Sequence, residues 1–152
     1  MRKLILITLL ATAAVFAQSE APAAAQHRAP KSKAKVLTRA ELDELLATPD
    51  KVLVLDVRRP DEISTIGGFP AYLSIQIGEL EKHLDAIPKD RLIITVSNHA
   101  ARAGRAADIL ANKGFNVAGA VGAETYQSEG GILTKVQPPP KKVATPEQGG
   151  QQ

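Results

Sequence analysis

The sequence predicts a single α/β domain whose central, mainly parallel sheet of about five strands is flanked by helices on both faces. Three observations predict it. Two short continuous apolar runs, Val52-Leu53-Val54-Leu55 and Leu92-Ile93-Ile94-Thr95-Val96, have the pattern of strands buried on both faces. Helical stripes alternate with them along the chain, as the crossovers between parallel strands require. Apolar residues make up 44% of the 152 residues and charged residues 23%, enough for one core and too little for two comfortable ones. Aromatics are only 3%, so that core must be built from Leu, Ile, Val and Ala.

The elements come in order. Thr38 three residues before Glu41 is a capping-box spacing, and Leu42, Leu45 and Leu46 form the stripe of a first helix. That helix must stop before Pro49, because the residue preceding a proline is pushed out of helical conformation. The first strand is the run at 52–55. Residues 61–77 are broken by Gly and Pro, with a short strand at 73–75. Residues 79–84 read as a short helix closed by Ile87-Pro88-Lys89-Asp90. The second clear strand, 92–96, leads into a small-residue turn at 97–101. An alanine-rich helix over 102–113 ends at Gly114, a residue suited to the stop. A further strand is predicted at 117–121.

The ends of the chain read differently. Arg2 and Lys3 precede an apolar run at 4–16, and Val15-Phe16-Ala17 places tolerated residues before a cleavage point. Residues 1–17 therefore read as a signal peptide cleaved after Ala17. The run falls short of the ~20 residues needed to span a bilayer, so no stable membrane anchor is expected after cleavage. No paired arginines precede it, which favours the general secretory route and a periplasmic or secreted protein. Residues 18–35 are rich in Ala, Pro and Lys and read as a flexible linker. Residues 137–152, with Pro138-Pro139-Pro140, read as a disordered Pro/Gln/Gly-rich tail. The folded domain is thus expected over 36–136.

Charge divides in the same way. Residues 1–35 carry six basic side chains against Glu20 alone, whereas 36–136 carry 11 basic and 14 acidic ones. The pI near 9.3 reflects the ends, and with no basic face interleaved with aromatics it points to no nucleic-acid partner. There is no cysteine, which excludes disulfides, thiolate metal sites, a thiol nucleophile and a lipid-modified N-terminal cysteine. His27 and His83 are isolated, giving no metal-ligand spacing, and no cofactor motif is present. Asp85 and Asp90 read as turn residues and Tyr126 as a wall of the core or of the pocket rather than a reactive phenol.

The informative segment is the strand, tight turn and helix over 92–114. In a parallel sheet, ligands bind beyond the carboxyl ends of the strands, where a turn into a helix aims backbone N–H groups outward. Ser97-Asn98-His99-Ala100-Ala101-Arg102 is small enough to curl closely, and Arg102 adds a positive charge. Two readings stand: a cradle for a small anion, or a plain connection whose amides are capped by Ser97 or Asn98.

An ordered set of motifs resembles the rhodanese (sulfurtransferase) family. Val54-Leu55-Asp56-Val57-Arg58, with Pro60 and Glu62, resembles that family's opening Asp-Val-Arg stretch. Gly67-Gly68-Phe69-Pro70-Ala71 resembles its Gly-His-Ile-Pro-Gly, shifted by one residue, with Ile66 as an insertion. Ser97 to Ala103 resembles the Cys-x-x-Gly-x-Arg-Ser loop, with serine at the cysteine, Ala100 at the glycine and Ala103 at the serine. Ala106 to Val117 resembles the family's next helix and strand. Gly122-Ala123 and Tyr126 stand at its paired glycines and Trp, and Gly131-Ile132-Leu133 at its closing Gly-Leu-Pro.

The resemblance implies a fold whose chemistry needs a soft nucleophile, and Ser97 replaces it. A serine hydroxyl cannot hold sulfane sulfur, and it stays protonated without an adjacent base. The expectation is therefore an exported, catalytically inactive domain. It would bind a small oxyanion or sulfur-containing ligand, or a protein partner, at loop 97–102, with Asp56 and Arg58 pinning the surrounding loops. Two enzyme alternatives accompany it. One is a Ser97 hydrolase or transferase using His99, for which no orienting acid is evident in the sequence. The other is a sulfur-handling role in which another protein supplies the cysteine.

Overall fold

The computed structural model describes residues 32–137. The expected signal peptide, residues 18–31 of the linker with His27, and the tail beyond Gln137 lie outside the described residues.

Thr38 caps the first helix, α1 (Arg39–Leu46). Its side chain accepts the Glu41 N–H while the Glu41 carboxylate accepts the Thr38 N–H, which is the capping box read from the sequence. Strand β1 (Val52–Asp56) comes next, then α2 (Pro60–Ile66), β2 (Leu73–Ser74), two short 3₁₀ turns at Ile77–Lys82 and Leu84–Ala86, β3 (Leu92–Ser97), α3 (Ala101–Asn112), β4 (Val117–Gly122) and α4 (Ala123–Ser128). The helix expected at 79–84 is thus a pair of 3₁₀ turns, and α2 and α4 occupy stretches where the sequence predicted none. Pro60 at the first position of α2 presets its φ and gives up an N–H that would have no partner there.

The sheet has four strands in the order β2-β1-β3-β4, all parallel. About five strands are expected and four are present; one isolated parallel bridge, Val36 to Ala120, adds to the β4 edge. The Leu37 N–H donates to the Ala120 carbonyl at 2.9 Å, and the Ala120 N–H donates to the Lys35 carbonyl at 2.8 Å. Thr38 then starts α1, so no ladder can grow beyond that pair.

The residues just before the bridge, 32–35, also pack on the domain. The Lys33 N–H donates to Asp108 on α3. Two glycines make room for this strap. A Cβ on Gly119 would meet the Lys35 carbonyl at 2.6 Å, and a Cβ on Gly104, inside α3, would meet Ser32 at 2.7 Å. A mid-helix glycine costs up to ~1 kcal/mol relative to alanine, and here the close approach explains its presence.

Strand alternation divides the core into two layers. Val52, Val54, Ile94, Val96 and Val121 face α1 and α4, joined by Leu42, Phe69 and Tyr126. Leu55, Ile93, Leu80, Ala106, Leu110 and Phe115 form the second layer, under α3 and the 3₁₀ turns. The Phe69 and Tyr126 rings meet at 5.3 Å, and the Tyr126 hydroxyl donates to Asp43, as expected for a core wall with a polar tip. Among the described residues no helix is long and apolar enough to cross a membrane.

Candidate functional site

Parallel strands leave their carboxyl ends on one side of the sheet, and the predicted site residues gather there. Asp56 ends β1 and Arg58 lies two residues on; both side chains are completely buried. The Arg58 Nε donates to Asp56 Oδ1 at 2.9 Å and its Nη2 to Asp56 Oδ2 at 2.6 Å, a fork-to-fork pair. A second donation from Nη2 reaches the Gly67 carbonyl at 2.9 Å, and Nη1 lies 3.5 Å from Asn98 Oδ1 in the loop after β3. Arg58 therefore links the end of β1, the end of α2 and the candidate loop through one guanidinium.

The loop closes some of its own hydrogen bonds, while the backbone N–H groups of Asn98, His99 and Ala100 find no acceptor among the described residues. Ser97 is only 1% exposed, and its Oγ accepts the Ala103 N–H at 2.9 Å. This is a helix-capping bond made by a residue three positions before the N-cap, Ala100, whose own side chain can make none. The Ala101 N–H donates to the His99 carbonyl and the Gly104 N–H to the Ala100 carbonyl. The Glu124 N–H donates to the Asn98 carbonyl at 3.2 Å, fastening the loop to the start of α4. Ala100 sits at φ 57°, ψ −25°, the one non-glycine residue with positive φ among the described residues. A Cβ in that region is strained, which is the physical meaning of alanine where the resembled loop has glycine.

Arg102 does not reach out as an unpaired cation. Its Nη1 and Nη2 donate to both oxygens of Glu62 on α2, at 2.8 and 2.5 Å. The Asn98 amide donates to the same carboxylate at 2.9 Å, and the Arg59 N–H adds a fourth donor at 3.0 Å. Hydrogen bonds from Arg102 hold the Glu62 carboxyl at about 2, well below the usual range, with the Arg59 backbone bond acting the same way against a partial burial penalty. The Arg102 guanidinium is pushed up by the same pairing. The sequence named Glu62 within a motif but could not show that it would meet Arg102, 40 residues away.

His99 is exposed, and its Nδ1 lies 3.4 Å from Glu124 Oε2. The acid that the sequence did not reveal is therefore present. The Ser97 hydroxyl, however, is enclosed and directed at the Ala103 amide, so His99, Glu124 and Ser97 do not form a relay. Among the described residues no three His, Asp or Glu side chains come together in a group able to hold a metal.

No protein-family model and no curated protein matches this sequence. Solved structures do match the fold. A rhodanese-related protein from Thermoplasma volcanium superposes with a TM-score of 0.60 at 25% identity, covering 67% of this chain and 99% of its own. A thiosulfate sulfurtransferase from Pseudomonas aeruginosa aligns with a TM-score of 0.57 at 25% identity, over 68% of this chain and 21% of the larger enzyme. A rhodanese-like domain protein from Staphylococcus aureus aligns with a TM-score of 0.52 at 23% identity, over 58% of this chain and 85% of its own.

Proposed function

We propose, from the premise that this chain has the rhodanese-like fold without the family's cysteine, that it is a non-catalytic, exported binding module whose loop 97–102 meets a protein partner. One observation carries the reading: the two side chains that could act at the loop, the Ser97 hydroxyl and the Arg102 guanidinium, are both consumed inside the molecule. A buried serine accepting a backbone amide has no base positioned to activate it. The charges around the loop are matched as well, Arg58 with Asp56, Arg59 with Asp61, and Arg102 with Glu62. What the loop offers outward is shape, with the exposed His99 and Ala101 at its crest.

The small-anion reading keeps two supporting observations, the first being that the backbone N–H groups of Asn98, His99 and Ala100 have no acceptor among the described residues. Four donors already converge on a carboxylate, that of Glu62, so a free oxyanion would have to displace it.

Calorimetry separates the two readings. Thiosulfate, sulfate and phosphate should give no heat with the wild-type protein; saturable heat with any of them would replace the protein-partner reading by the anion one. A photo-crosslinking side chain placed at position 99 should yield one discrete protein adduct in the cell envelope, whereas the same group at the exposed Glu81 should not. Identical patterns from both positions would defeat the reading. Transfer of sulfur from thiosulfate to cyanide should be undetectable. The mature protein should begin at Gln18, and an intact Met1 in its mass spectrum would remove the export part.

A further inference from the structure

We propose that a cleft at the opposite end of the sheet from loop 97–102 binds an amphipathic anion, a small molecule with an apolar body and one carboxylate or comparable head. The cleft opens because β2 is so short. It pairs only Leu73 with Leu55 and Ser74 with Asp56, so the first half of β1 has no strand on that side. The Leu92 N–H donates to the Lys51 carbonyl and the Val57 N–H to the Val96 carbonyl, so the odd positions of β1 face β3. The backbones of Val52 and Val54 consequently face the gap. Segment 69–73 crosses beyond it and leaves a cleft of about 400 Å³ between the two, within the ~300–1,000 Å³ common for small-ligand sites.

Its surface is apolar, chiefly Leu46, Leu53, Ala71 and Leu73 with the half-buried Tyr72, over buried Val52 and Phe69. Arg91 is its single charged lining residue. Most arginines of the described domain are paired with carboxylates, but Arg91 makes no ion pair among the described residues. A cationic group beside an apolar hollow calls for a ligand of opposite charge attached to apolar bulk. The clefts under the 32–35 strap and beside α1 lack this character, since they are ringed by Lys, Asp, Asn and Glu. The open edge spans only about three residues before β2 begins, too little for an added peptide strand to register, which favours a small molecule over a peptide.

The test uses decanoate as probe, with decanol and decyltrimethylammonium as neutral and cationic counterparts, by calorimetry on the mature protein below the micellar concentrations of the two ionic probes and the solubility limit of decanol. Decanoate should bind saturably at one site and more tightly than either counterpart. Arg91→Gln should weaken decanoate about tenfold and leave decanol unchanged. Ala71→Trp, at an exposed lining position, should block all three while the circular dichroism spectrum stays that of the wild type. The proposal falls if decanoate does not saturate, if decanol binds as tightly as decanoate, or if both variants bind as the wild type does. It falls equally if an extended apolar peptide proves the tighter ligand. None of these results bears on loop 97–102.

Discussion

The ends of β1 and β3 lie side by side in the sheet, and each closes a charge pair, yet in different surroundings. At β1, Asp56 and Arg58 are entirely enclosed, and the Arg58 backbone N–H, Nε and Nη2 each find an acceptor. At β3, the pair formed by Arg102 and Glu62 stays partly in contact with water, at 29% and 15% exposure, and the loop beside it carries a strained alanine. Burial makes a charge pair costly to break because the survivor is left unsolvated, whereas a pair near water can be opened and re-solvated. The first pair is therefore the costlier to break and the second the less costly, although the two differ little in the residue types they use.

Four substitutions put that difference to the test. Arg58→Ala should have the largest effect. It strands the Asp56 carboxylate in a dry site and should cost about 3–5 kcal/mol, read as a lowered urea midpoint. If it cost no more than a surface substitution, the enclosed network would not anchor the fold. Ser97→Ala should come next, since it leaves the Ala103 N–H without its acceptor; about 1–2 kcal/mol is expected in the same assay.

Glu62→Gln should cost about 1 kcal/mol at neutral pH, as an incompletely buried pair does, but its signature lies in acid. The Glu62 carboxyl is held at about 2 in the folded protein, while an unfolded glutamate titrates near ~4.3. The stability it contributes is therefore complete above roughly pH 4.5 and is lost as pH falls toward about 2. Glu41, lowered likewise by its bond to Lys35, adds to the same acid limb. Thermal melts from about pH 6 to 2 should show a steep acid loss in the wild type and a shallower one in the variant; parallel curves would mean that the ion pair does not form in solution. The smallest effect should come from Ala100→Gly. It relieves the positive φ but loosens the unfolded chain, so a gain of about 0.5 kcal/mol is expected, and a loss would show that Ala100 is not strained.

Most of the framework was legible because it rests on local patterning. The runs at 52–55 and 92–96, the stripe of α1 with its Thr38–Glu41 box, and Gly114 after α3 each carry a signal within a few residues. Helix α2 was hidden because Ser64, Thr65 and the glycines after Ile66 interrupt any apolar stripe, although Pro60 and Glu62 stand where a helix start would place them. Helix α4 was hidden because its six residues are too few to show a period. At the site, Ser97, Asn98, His99 and Arg102 could be gathered from one short stretch, and the family pattern drew attention to Asp56 and Arg58. Their partners could not be assigned the same way. Glu62 meets Arg102 and Glu124 meets His99 only because the parallel sheet brings separate crossovers to one end, and no local period encodes that meeting. The strap at 32–35 was masked by composition, since Ala and Lys beside a proline-rich stretch resemble a linker whether or not they pack.

That strap has a practical consequence for anyone trimming the chain. Residues 35–37 supply the only hydrogen bonds described along the outer edge of β4, and Gly119 leaves the space that receives them. A version beginning at Thr38 would keep every helix and every named strand yet leave the Ala120 amide and carbonyl unpaired on the outer edge of β4. Such a surface recruits whatever extended chain it meets first, including a second molecule of itself. The shortened protein should therefore self-associate as its concentration rises, while one that retains residue 32 onward should not.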